Sequence, residues 1–143
     1  MNVQAILSVK GTDVVTIDPN SNLALAAKLL AERRIGAVVV TGPGQRIVGI
    51  LSERDIVQAL AARGAAALDA QISEMMTRKV TTCSPSDTIS TIMERMTAGK
   101  FRHVPVVEQG RLAGIVSIGD VVKYRLQEME LEQAAMRDYI QTA

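Results

Sequence analysis

The chain is 143 residues long, with 16 basic against 15 acidic side chains and a net charge of +1, so it has the size of one domain and lacks the basic surplus of a DNA-binding domain. A single cysteine (Cys83) and a single histidine (His103) exclude an intramolecular disulfide, a CxxC redox pair, a zinc ribbon and multi-histidine metal sites, and three aromatics (Phe101, Tyr124, Tyr139) cannot build the stacking platforms of single-strand nucleic-acid binders. No apolar run approaches the ~20 residues of a membrane span, and residues 1–10 lack the basic start and long apolar stretch of a signal peptide, so the expected setting is soluble and cytoplasmic, with no membrane and no nucleic acid as partner.

Along the chain, residues 3–8 read as a brief helix and 14–17 as a short strand. Pro19, in the polar cluster 18–22, marks the start of a helix whose apolar positions are Leu23, Ala26, Ala27 and Leu30. A β-branched strand over 37–41, a turn at Gly42-Pro43-Gly44, a second strand over 47–51 and a second helix from Ser52 follow. Residues 61–70, rich in Ala and Gly, form a connector, and 69–76 read as another brief helix. The order then recurs: a strand over 80–83, a polar cluster with Pro85, a helix with Ile89, Ile92, Met93 and Met96, strands over 103–107 and 112–116 around Gln109-Gly110, and a helix from Ser117. That last helix continues to the C-terminus through Val121, Val122, Leu126, Met129, Met136, Tyr139 and Ile140 at near-helical intervals.

The recurrence is an internal repeat. At an offset of 66, Val14 meets Val80, Thr16 meets Thr82, Pro19 meets Pro85, and Val38 and Val40 meet Val104 and Val106. One extra residue in the first turn shifts the offset to 65, where Gly49, Ile50, Ser52, Asp55 and Val57 meet Gly114, Ile115, Ser117, Asp120 and Val122. The expected fold is therefore α/β (α+β). Two β-α-β-β-α repeats, residues 1–66 and 67–143 with their lead-in helices, pack as one module, because a half of about 60 residues has a thin core of its own.

The sharpest local feature is the duplicated Gly-apolar-apolar-Ser-x-x-Asp, Gly49 to Asp55 and Gly114 to Asp120. A strand leads there into a helix, whose free N–H groups and partial positive charge suit a phosphate, while the Asp can accept both hydroxyls of a ribose. Ser-x-x-Asp is equally a capping box, which leaves both roles open. In Lys100-Phe101-Arg102-His103-Val104-Pro105-Val106, Arg102 and His103 can donate to phosphate oxygens, and Pro105 belongs at an edge or where backbone leaves the sheet. By residue chemistry alone, a nucleotide-acting enzyme using His103 with Asp120, or an interaction module for nucleic acid or protein, stays open beside a binding module. Cys83 and the paired methionines read as core.

The strings Leu51-Ser52-Glu53-Arg54-Asp55-Ile56, Met75-Met76-Thr77, Arg102-His103-Val104-Pro105-Val106 and Gly114 through Val122 resemble a tandem pair of CBS domains, a Bateman module, of the stand-alone bacterial two-repeat type. The resemblance implies a non-catalytic regulatory module with two clefts for adenine-containing ligands: AMP, ADP, ATP, NAD or S-adenosylmethionine. It also implies pairing into homodimers and an unidentified regulated protein. Carried over residue by residue, one cleft takes Thr16, Asp18, Ala37 and Val38 with Arg102, His103, Ser117, Ile118 and Asp120. The other takes Thr82, Val104 and Pro105 with Ser52, Glu53, Arg54 and Asp55. The resemblance implies no catalytic residue, no metal and no catalytic cofactor.

Overall fold

The computed structural model describes residues 1–142. The first half contains β1 (Thr16–Ile17), α2 (Leu23–Arg33), β2 (Ala37–Thr41), β3 (Ile47–Ser52) and α3 (Glu53–Arg63), preceded by α1 (Val3–Lys10). The second half contains α4 (Ile72–Met75), α5 (Ile89–Gly99), β4 (His103–Glu108), β5 (Arg111–Ser117) and α6 (Ile118–Thr142). β1 runs parallel to β2, which pairs antiparallel with β3; β4 pairs antiparallel with β5. Among the described residues no helix is long and apolar enough to cross a membrane.

Cap residues start the paired helices at equivalent places. Asn22 Oδ1 accepts from Leu25 N–H at 2.9 Å, and Thr88 Oγ1 accepts from Thr91 N–H at 3.1 Å, each satisfying an otherwise unpaired helix donor. Both helices end on a left-handed residue, Arg34 (φ 55°) and Lys100 (φ 58°), which turns the chain into the next strand.

The strand expected over 80–83 is reduced to a single parallel bridge between Cys83 and Val106. Cys83 N–H donates to Pro105 O at 3.0 Å, and Val107 N–H donates to Cys83 O at 2.8 Å. The first half goes one step further, because Val39 N–H donates to Val15 O at 3.3 Å. Pro105 stands in Val39's place without an N–H, so the ladder stops before Thr81.

The lead-in helices are exchanged between halves. N–H groups of α1 donate across, Val3 to Asp87 O and Gln4 to Pro85 O, both at 2.9 Å. Its Val3, Ile6 and Leu7 are buried in one core with Cys83, Ile89, Ile92, Val104, Val106, Val116, Val121 and Tyr124. In mirror fashion α4 donates from Ile72 to Ser21 O (2.8 Å) and from Ser73 to Pro19 O (3.0 Å), and Ile72 and Met76 join the core of Leu23, Val38, Val40 and Leu51. Burial of each such side chain stabilises by roughly 1.5–3 kcal/mol, so each half's core depends on a segment that precedes the other half. The repeated glycine follows from this packing. A Cβ on Gly49 would lie 2.5 Å from Met76 Sδ, and one on Gly114 would lie 2.7 Å from Leu7 Cδ2.

Candidate functional site

The Ser-x-x-Asp motifs form capping boxes in both halves. Ser52 N–H donates to Asp55 Oδ2 (2.9 Å), Ser52 Oγ donates to the same oxygen (3.2 Å), and Asp55 N–H donates back to Ser52 Oγ (3.3 Å). In the second half the corresponding distances for Ser117 and Asp120 are 2.9, 3.0 and 3.3 Å. The start of each box is tied to the adjoining strand by one backbone bond, Glu53 N–H to Gly36 O (3.0 Å) and Ile118 N–H to Arg102 O (2.8 Å). The cap fixes each carboxylate at a strand-to-helix junction. It engages Oδ2 and leaves Oδ1 of Asp55 to the cleft side, where Thr77 Oγ1 donates to it at 3.3 Å.

A cleft of about 430 Å³ opens between the halves at Asp55. One wall is Ile50, Ser52, Glu53, Arg54 and Asp55 with Gly36 and Ala37; the facing wall is Thr77, Lys79, Val80 and Thr81 with Gly99 through His103. Four cations, Arg54, Lys79, Lys100 and Arg102, face it against two carboxylates, Glu53 and Asp55, so the hollow favours an anion. His103 packs against Gly36, where a Cβ would come within 3.1 Å of His103 Cε1. Burial, then Lys10, lowers the His103 pKa below 6.5, opposed by Glu53 and Asp120. The ring is therefore neutral at pH 7, with one nitrogen to donate and one to accept.

At Asp120 the carboxylate meets a cation from another element. Lys10 Nζ, at the end of α1, donates to Asp120 Oδ2 at 2.6 Å and to Ile115 O at 3.0 Å. Burial pushes the Asp120 pKa up, but the hydrogen bonds from Lys10 and Ser117 outweigh it and hold the group below 3.8.

Of the residues expected in the two clefts, Ala37, Ser52, Glu53, Arg54, Asp55, Arg102 and His103 line this one hollow. Arg102 and His103, grouped with Asp120 by sequence, border both junctions: they line the Asp55 cleft with Ala37, while His103 pairs with Ser117 across β4 and β5 and Arg102 O accepts from Ile118 N–H at 2.8 Å. Ser117, Ile118 and Asp120 stay together at the start of α6. Val38, Val104 and Pro105 are buried in the sheets and form no part of the cleft wall. Thr16, Asp18 and Thr82 are exposed outside it, and Asp18 Oδ1 accepts from Asn20 N–H at 2.8 Å in the turn before α2. Sequence reasoning missed the cleft cations Lys79 and Lys100, the further wall residues Gly36, Ile50, Thr77, Val80, Thr81, Gly99 and Phe101, and Lys10 as a partner of Asp120. The repeat offset of 66 sets Lys10 opposite Met76, whereas the packing that equates Leu7 with Met76 requires an offset of 69 and sets it opposite Lys79, so the repeat alone carried no signal for Lys10.

Cys83 is buried, and burial with the nearby Asp87 pushes its thiol up to about 12, which removes it as a nucleophile.

Comparison with known proteins matches both halves to one family. The CBS domain family matches twice, over residues 7–62 and 72–127. The crystal structure of a CBS-domain containing protein, ATU1752 from Agrobacterium tumefaciens, is 51% identical and superposes with a TM-score of 0.84, covering 87% of this chain and 92% of that one. The CBS domain pair of protein MJ0100, crystallised with 5-methylthioadenosine and S-adenosyl-L-methionine, is 27% identical with a TM-score of 0.79, covering 90% of this chain and 98% of that one. A mitochondrial CBS domain-containing protein of Arabidopsis thaliana, CBSX3, is 33% identical over 120 residues, which are 81% of this chain and 58% of that protein's length. With both halves matched and the pair's architecture reproduced, the chain belongs to the CBS domain family as a tandem pair.

Proposed function

We propose that the protein is a non-catalytic regulatory module that binds one adenine nucleotide per chain (AMP, ADP, ATP or NAD) in the cleft of Asp55. The observation that carries this reading is the Asp55 carboxylate, fixed by its cap and bordered by four cations across a cleft between the halves. Asp55 accepts the two ribose hydroxyls; Lys79, Lys100, Arg102 and Arg54 are the candidates for the phosphates. The purine lies against apolar wall and backbone near Val80 and Thr81. The ligands of the MJ0100 pair support an adenosine-bearing ligand. The cationic wall favours a phosphate over the sulfonium of S-adenosylmethionine, which would meet like charge.

The same reading makes the ligand a signal for another protein. The chain works as a cytoplasmic homodimer, its halves divide at residues 66 and 67, and the partner it regulates is the recipient of a ligand-dependent change in shape. Calorimetric titration of the purified chain with AMP, ATP, NAD and S-adenosylmethionine tests it. One site per chain is expected, with the phosphorylated ligands tighter than S-adenosylmethionine. Absence of binding by all four at millimolar concentrations overturns it.

A further inference from the structure

The last helix uses its two faces differently. Val121 and Tyr124 are buried in the second core, and Glu128 on the same side accepts from the Met1 ammonium at 3.2 Å. On the face turned away from the domain, Val122, Leu126, Met129, Gln133, Met136 and Ile140 follow one another at alternating spacings of four and three residues. That is an unbroken heptad seam, with Leu126, Gln133 and Ile140 at a and Val122, Met129 and Met136 at d. The five apolar members are 42–67% exposed, and Gln133 is exposed with them. A seam of this period, unused by the chain's own fold, is made for another helix.

The flanking charges identify that helix and its direction. Arg125 and Glu132 occupy g, and Glu130 and Arg137 occupy e. In a parallel pair of identical helices, g of one copy faces the next e of the other. Arg125 then faces Glu130, and Glu132 faces Arg137, attractive on both sides of the seam. In an antiparallel pair with the same apolar overlap, Glu130 faces Glu130, Glu132 faces Glu132 and Lys123 faces Arg137, all repulsive, while Arg125 faces the neutral Tyr139. Gln133 points the same way, since in register its amide meets its own copy, and antiparallel it meets Met129. Arg125 also lies 3.6 Å from Glu132 of its own chain, an exposed contact worth little by itself.

We propose that α6 docks on α6 of a second copy of this chain as a parallel, in-register two-stranded coiled coil along Val122–Ile140, which sets the two CBS pairs side by side with their C-termini together. The inference rests on the seam and its charges and not on any ligand.

Disulfide trapping in the full chain tests it. Gln133→Cys is expected to run as a covalent dimer after mild oxidation, while Gln127→Cys, at position b, stays monomeric. Buried Cys83 does not compete. Arg137→Glu is expected to weaken self-association several-fold in sedimentation, and Glu132→Arg in the same chain is expected to restore it. Trapping only when Gln133→Cys and Met129→Cys chains are mixed means an antiparallel pair and overturns the proposal. So does a wild-type chain that sediments as a monomer at every concentration. A dimer that neither traps through Gln133→Cys nor responds to the charge swap also overturns it, because that dimer uses another face.

Discussion

The two strand-to-helix junctions carry the same capping box to within 0.2 Å, yet they end in opposite electrostatic states. At the first, Ile50 O accepts from the Thr77 amide at 2.9 Å and Asp55 accepts from the Thr77 hydroxyl at 3.3 Å. Both donors are neutral, so the carboxylate keeps its charge at the edge of an open cleft. At the second, the Lys10 ammonium performs both tasks, on Ile115 O and on Asp120, and the charge is neutralised. The cause is the length of the lead-in helix. α4 stops at Met75, and Met76 is extended (ψ 153°), which delivers Thr77 as a strand-like partner. α1 runs helical to Lys10 and delivers a side chain instead. Duplication preserved the caps, and the segments that arrive at them differ, which on the proposed reading leaves Asp55 rather than Asp120 free to hold a ligand.

The largest effect that tests this contrast comes from the aspartates themselves. Asp55→Asn is expected to weaken AMP by about ten- to a hundredfold, since hydrogen bonds to a charged group contribute roughly 1.5–3 kcal/mol. Asp120→Asn is expected to leave AMP affinity unchanged. Calorimetry on the two variants reads both; equal losses would show that the junctions are equivalent and the Lys10 contact irrelevant.

Releasing the second aspartate comes next. Lys10→Met leaves Asp120 capped but without its cation, and the number of AMP sites per chain is expected to rise from one toward two, the second weaker than the first. Stability changes little at neutral pH, because the pair is partly exposed and such pairs contribute little. The acid limb differs. Asp120 is held below 3.8, so its contribution is present above that pH and is lost as pH falls through the lowered value. Lys10→Met therefore flattens the acid unfolding curve below about pH 4. An unchanged stoichiometry together with an unchanged acid limb would refute the role given to Lys10.

A smaller effect separates His103 from the fixed cations around it. Its pKa lies below 6.5 in the free protein, first because it is buried. A phosphate bound nearby raises it again, so binding takes up a proton and affinity for ATP rises a few-fold as pH falls from 7.5 toward 6. His103→Gln is expected to flatten that slope while keeping most of the affinity at pH 7.5. The sign for stability runs the other way. The unfolded ring takes its proton near 6.5 and the folded ring resists it, so the wild type loses stability as pH falls below that value and His103→Gln loses less.

The repeat made most of the fold legible, because apolar period, turn residues and helix caps agree at equivalent positions in both halves. What it concealed lies where the halves exchange material. Nothing in the spacing of Val3, Ile6 and Leu7 says that they enter the second core rather than the first, since burial of an amphipathic face does not specify its partner. The carry-over of Arg102 and His103 to the Asp120 side follows from the repeat, since His103 pairs with Ser117, but their place on the Asp55 cleft as well was not legible. The pattern fixes the order and pairing of the elements but not how far a side chain on one junction reaches into the neighbouring cleft. The carboxylates themselves were readable, because a capping box is local and its two residues lie three apart.

Pro105 gives the smallest and most local test of the difference between the halves. Val39 carries the first half's strand pairing back to Val15, whereas its counterpart Pro105 has no N–H to offer Thr81. Thr81 lies in the cleft wall, so the interrupted ladder leaves its backbone on the side where a purine edge would be read. Pro105→Val restores the donor. The regained hydrogen bond adds about 0.5–1.5 kcal/mol, and the freer unfolded chain removes about 0.4–1 kcal/mol. Net stability should therefore barely move. The new amide at position 105 should nonetheless be protected in hydrogen exchange, and AMP affinity should fall modestly as the Thr81 carbonyl is drawn into the sheet. Protection without any loss of affinity would place the purine away from Thr81. An unprotected amide would mean that Pro105 is not what ends the second half's first strand.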